Sequence, residues 1–138
     1  MRIGRWLRAA SAEEGLSPAQ SAALATLVRE GPMRPGDLAA AEALNPTMLS
    51  RVAGHLAEAG LVERTPDPQD GRASLLRATP AGERLIARLR ARRAALLVER
   101  VRELEPEQAR GLLEALPALE ALAERAERGA RELPEGRS

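Results

Sequence analysis

The chain has 138 residues, enough for one domain with a real hydrophobic core. Hydrophobic residues are 44%, charged residues 30% and cysteine is absent, which excludes disulfides, thiolate metal sites and thiol-based redox sensing. A net charge of +1 is too small to announce a nucleic-acid partner, and no apolar run approaches the ~20 residues of a membrane span or forms a signal-peptide core behind the N-terminus, so cytoplasm is the expected compartment.

Trp6 is the only aromatic residue, so the core must be built from aliphatic side chains, and the dominance of Ala, Leu, Arg and Glu favours helix. Residues 1–12 place Ile3, Trp6, Leu7 and Ala10 on one face and Arg2, Arg5 and Arg8 on another, which predicts a short amphipathic helix. Ser17-Pro18-Ala19-Gln20 reads as a capping box opening a helix that runs to about residue 30, where Gly31-Pro32 stops it. A shorter helix is expected over 35–43, anchored by Leu38. Asn45-Pro46 starts another that ends before Gly60, with Leu49, Val52, Ala53 and Leu56 inward.

Two short extended runs follow, 61–65 and 73–79, around a turn-rich segment, and together they predict a β-hairpin. Thr79-Pro80 then caps a long helix reaching about residue 104. A last helix opens at Glu105-Pro106, carries Pro117 inside it, where a kink is expected, and gives way to a polar, flexible tail over 129–138.

Helices followed by a two-strand hairpin make the winged helix-turn-helix order, mainly α with a small β-hairpin wing. The helix starting at Pro46 follows a short helix after a tight turn and presents a polar N-terminal face, the arrangement of a recognition helix in the major groove. Arg51 can donate two hydrogen bonds to a guanine. Thr47 and Ser50 can bond bases or phosphates, and Met48 can touch a thymine methyl group. Taken alone, the same helix reads first as an amphipathic helix with a solvated face. His55, the only histidine, reads as a surface or phosphate-contacting residue rather than a metal ligand, and no metal or cofactor is expected.

The hairpin tip Asp67-Pro68-Gln69-Asp70-Gly71-Arg72, the strand after it and Thr79-Pro80-Ala81-Gly82 resemble the wing of MarR-family regulators. Leu56-Ala57-Glu58-Ala59-Gly60-Leu61-Val62-Glu63-Arg64 is similar to that family's passage from recognition helix to wing, so the resemblance covers about residues 17–104. It implies that Arg72 enters the minor groove, that Asp70 and Asp67 hold that arginine or shape the tip, and that Arg51 is the main major-groove reader, with Pro46, Thr47, Met48, Ser50, His55 and Gly71 in the same interface. An ordinary salt-bridged turn is the alternative for the tip. Gly71 departs from the pattern, standing where the family often has a second basic residue. From residue 45 to 79 four arginines (51, 64, 72, 77) face four acids (Glu58, Glu63, Asp67, Asp70), which predicts modest non-specific affinity.

The chain therefore divides, in expectation, into a winged helix-turn-helix region over 17–79 and a helical dimerisation region over 1–16 and 80–128. The terminal helices carry more leucine than one small domain covers. The resemblance implies that they interlock between two copies, through Ile3, Trp6, Leu7, Leu112, Leu116, Leu119 and Leu122, to bind a pseudo-palindromic operator. Arg84, Arg88 and Arg92 form a solvated basic stripe, pair with the acidic last helix, or touch phosphates. The family further implies repression, and a crevice that here would take a lipophilic effector or none. No nucleophile triad, phosphate loop or metal set points to an enzyme. The remaining alternative is a dimeric winged-helix protein-interaction module that does not read DNA.

Overall fold

Five helices each begin on a proline: α1 Pro18–Glu30, α2 Pro35–Ala41, α3 Pro46–Glu58, α4 Pro80–Arg102 and α5 Pro106–Arg131. The pyrrolidine ring presets the helical φ at a position whose N–H has no partner in the helix, so proline there starts a helix without loss. The residue before it supplies the cap in three cases. Ser17 and Gln20 form the reciprocal capping box at 3.2 and 2.9 Å, Asn45 Oδ1 accepts from the Met48 N–H at 2.8 Å, and Thr79 Oγ1 accepts from the Gly82 N–H at 3.2 Å.

The computed structural model describes Arg5 and residues 14–131, with side chains described as far as residue 125. Of the expected first helix only Arg5, which is helical, falls within it; Ile3, Trp6 and Leu7 lie outside the described residues. Between α3 and α4 lie β1 Val62–Pro66 and β2 Ser74–Ala78, antiparallel, with Val62 opposite Ala78 and Pro66 opposite Ser74. This is the winged helix-turn-helix order. Met33 adds an isolated bridge to Leu76, exchanging backbone hydrogen bonds of 3.1 and 2.8 Å, so the wing acquires a third, one-residue rung that no alternation in the sequence announces.

The structure corrects some boundaries. The second helix stops at Ala41 rather than residue 43, because Ala43 takes a left-handed φ of 52° and the chain folds back so that Leu44 N–H reaches Ala39 C=O at 2.8 Å. The last helix is continuous through Pro117 and runs to Arg131, past residue 129 where the tail was expected to start.

The chain divides into two compact units, one ending at Ala94 and the other starting at Ala95. In the first, Leu24, Leu27, Leu38, Leu56, Leu76 and Leu89 are each less than 2% or at 2% exposed, drawn from α1 to α4 and β2. Each such burial contributes about 1.5–3 kcal/mol, and together they hold α3 and the hairpin in fixed relation. The first turns of α4 share this core through Leu85, Ile86 and Leu89. In the second unit, no described residue is buried.

Gly82 explains the small residue in Thr79-Pro80-Ala81-Gly82. A Cβ there would lie 2.3 Å from the Leu61 backbone oxygen, so only glycine lets α4 pass that close to the start of the hairpin. Thr79 ties the same point, its N–H donating to Leu61 C=O at 3.0 Å and its hydroxyl to Gly60 C=O at 2.6 Å.

Candidate nucleic-acid interface

The inward stripe of α3 is Leu49, Val52, Ala53 and Leu56, between 1% and 7% exposed, as the 3.6-residue period requires. Burying that stripe turns Pro46, Thr47, Met48, Ser50, Arg51 and His55 outward, and all six are exposed. Met48 is 48% exposed, a large apolar side chain left on the outer face. No described residue hydrogen-bonds or ion-pairs with the Arg51 guanidinium.

The wing tip is braced by its own carboxylates. Asp70 Oδ1 accepts the Arg72 backbone N–H at 3.1 Å, Asp67 Oδ1 accepts the Gln69 N–H at 2.9 Å, and Asp67 N–H donates to Ala73 C=O at 3.1 Å. Gly71 and Arg72 are exposed, and the Arg72 side chain has no partner among the described residues.

Asp67, in contrast, is 7% exposed, and the arginine it holds is Arg34, not Arg72. Arg34 Nε and Nη2 both donate to Asp67 Oδ2, at 2.9 and 2.7 Å. The Gln69 backbone N–H, and then Arg34, keep the Asp67 carboxyl below the ordinary aspartate value; the hydrogen bond and charge of Asp67 in turn raise Arg34. Sequence reasoning missed Arg34. Thirty-three positions separate it from Asp67, and the Met33–Leu76 rung beside it helps bring them together.

The structure also resolves the charge balance. Glu63 and Arg77 stand opposite each other across the hairpin, with Arg77 Nε donating to Glu63 Oε1 at 3.0 Å, and Asp67 is engaged by Arg34. Two of the four acids are thereby matched by arginines, one of them from outside the 45–79 window. Arg51, Arg64 and Arg72 are left without an acidic partner among the described residues; Arg64 donates only to Ser74 Oγ at 3.3 Å. Arg64 lines a shallow depression between α2 and α3 with Pro35, Ala39, Pro46 and Ser50. Among the described residues no group of His, Cys, Asp or Glu is arranged to hold a metal ion. No helix there is long and apolar enough to cross a membrane.

The MarR family pattern matches residues 16–74, which span α1 to the start of β2. An uncharacterised HTH-type transcriptional regulator of Mycobacterium leprae is 39% identical over 108 residues, covering 78% of this chain and 76% of that protein. The chain belongs to the MarR family. An HTH-type transcriptional regulator of Mycobacterium tuberculosis is 40% identical over 101 residues, 73% of this chain and 71% of that one. A solved transcriptional regulator of Thermotoga maritima superposes with a TM-score of 0.74 at 29% identity, covering 91% of both chains. This MarR-family chain is thus a DNA-binding transcriptional regulator and not an enzyme. At Gly71 an added Cβ meets nothing within 4 Å, so the tip has room for a side chain there.

Proposed function

We propose that the protein is a cytoplasmic repressor that binds a pseudo-palindromic operator as a homodimer. The observation that carries the reading is the outward face of α3, where Thr47, Met48, Ser50 and Arg51 are exposed together and the guanidinium is uncommitted. Placed in the major groove, Arg51 donates to a guanine, Thr47 and Ser50 bond base edges or phosphates, and Met48 packs on a thymine methyl group. Pro46 sets the start of the helix against the backbone, and His55 reaches a phosphate. Arg72 enters the minor groove, carried by the tip that Asp70 and Gly71 form.

Dimerisation uses the apolar row of α5. Leu112, Leu116, Leu119 and Leu122 are 36%, 43%, 47% and 65% exposed, and their spacing puts them on one helical face. A second copy is the occupant that the family's helix order suggests, with residues 1–16 joining it. The effector proposed for this regulator is lipophilic, because the apolar side chains of the chain are aliphatic except for Trp6.

The test is binding of the purified protein to labelled DNA from its own upstream region, with salt titration and Arg51→Ala and Arg72→Ala controls. Sequence-selective binding that each control weakens by about 5- to 100-fold is expected. Selective binding that both controls leave intact would overturn the residue roles, and binding no tighter than to random DNA would favour a protein-interaction module.

A further inference from the structure

Residues 67–73 form the far end of a two-stranded hairpin, an element that is marginally stable by itself. Their internal bonds, Asp67 to Gln69 and Asp70 to Arg72, fix the shape of the tip but not its direction. Among the described residues, one side-chain link joins this tip to the helices: the paired donation from Arg34 to Asp67 Oδ2. Arg34 is the residue before Pro35 and makes no side-chain cap to α2, so its guanidinium is directed across to the wing instead of onto its own helix. The Met33–Leu76 rung fixes its backbone beside β2, and α2 packs against α3. A continuous path therefore runs from the recognition helix through α2 and Arg34 to Asp67 and the tip. Asp67, nearly buried, uses one carboxylate oxygen for the tip and the other for Arg34.

We infer that Arg34 is a positioning residue for DNA binding: through Asp67 it locks the wing to the helix-turn-helix, so that Arg72 and Arg51 reach their two grooves in one register. This rests on the roles proposed above for Arg51 and Arg72. Charge-assisted hydrogen bonds with two donors on one oxygen resist rotation more than a neutral contact does. The lock also cancels a carboxylate charge that would otherwise stand close to phosphates.

The experiment is a set of double-mutant cycles on DNA affinity, read with a duplex selected by the wild-type protein from a random-sequence pool. In the wild-type background Arg72→Ala is expected to weaken binding about tenfold. With Arg34→Gln already present, the same Arg72→Ala change is expected to cost less than about twofold, because an unlocked wing no longer delivers the arginine. The Arg51→Ala penalty should be equal in both backgrounds. Asp67→Asn should reproduce Arg34→Gln, and Arg34→Lys, which keeps the charge, should restore part of the coupling. Melting temperatures of all variants separate loss of fold from loss of register, and if Arg34→Gln does not fold, Asp67→Asn and Arg34→Lys complete the cycle. An Arg72→Ala penalty that is the same with and without Arg34 overturns the lock while leaving the DNA-binding roles standing. Tighter binding by Asp67→Asn overturns it as well, since that result would make Arg34 a phosphate contact that Asp67 holds back. Failure of Arg72→Ala to weaken the wild type overturns the wing's role and the lock with it; absence of any selected duplex overturns the DNA reading itself.

Discussion

Helices α3 and α5 carry apolar stripes of the same kind and meet opposite fates. In α3 the stripe is Leu49, Val52, Ala53 and Leu56, all buried within the first unit. In α5 it is Leu112, Leu116, Leu119 and Leu122, and every one is at least 36% exposed in a single chain. The first helix spends its apolar face on its own fold and leaves a polar face for a partner. The second leaves the apolar face itself. Amphipathicity thus says that a face will be covered, and only the position of the helix in the fold says by what.

The largest effect expected from breaking this contrast is at Leu56. Leu56→Ala should lower stability by about 2–5 kcal/mol, by the same amount at every protein concentration, as measured by denaturant unfolding. The corresponding change on α5, Leu116→Glu with Leu119→Glu, should act through assembly. Sedimentation should show a monomer for the variant and a dimer for the wild type, and the dependence of unfolding on protein concentration should disappear. If the double variant were as dimeric as the wild type, α5 would not be the interface.

A gain should be available at Gly71, where an added side chain meets open space. Gly71→Arg is expected to tighten binding to random-sequence DNA by several-fold at low salt and to steepen the salt dependence by about one ion. An unchanged slope would place the tip away from phosphates.

The pH dependence of Asp67 gives a smaller effect of definite sign. Its carboxyl is held below the ordinary aspartate value in the folded chain, so the unfolded chain binds the proton more readily. The stability it contributes is therefore complete above the ordinary value and is lost as pH falls through the depressed one. Stability curves of the wild type and Asp67→Asn should be separated at pH 7 and converge in acid; a constant separation down to pH 2 would remove the ion pair from the account.

The smallest change expected is at Ala43, in left-handed backbone at φ 52° in the turn before α3. Ala43→Gly should stabilise by about 0.5–1 kcal/mol in thermal unfolding, with DNA binding unaltered.

The elements legible in the sequence were those with local signals. The Ser17 capping box, Asn45-Pro46 and Thr79-Pro80 marked helix starts because cap and proline act within four residues. The outward residues of α3 followed from the period of its leucines. What escaped notice had no local signal. Ala43 carries no mark of a left-handed turn, the Met33 rung is one residue long, and Arg34 meets Asp67 only after the hairpin has docked. The count of opposing charges between residues 45 and 79 left out Arg34 for the same reason, a partner from outside that window that engages one of the acids.

The joint at Thr79 has a mechanical meaning. Its hydroxyl and N–H grip Gly60 and Leu61, just past the C-terminal end of α3, while Gly82 lets the helix axis pass within touching distance of the same peptide. The root of α4 and the trailing end of α3 are thus clamped in a single pivot with almost no slack. A rotation of the first turn of α4 would therefore carry the end of α3 with it.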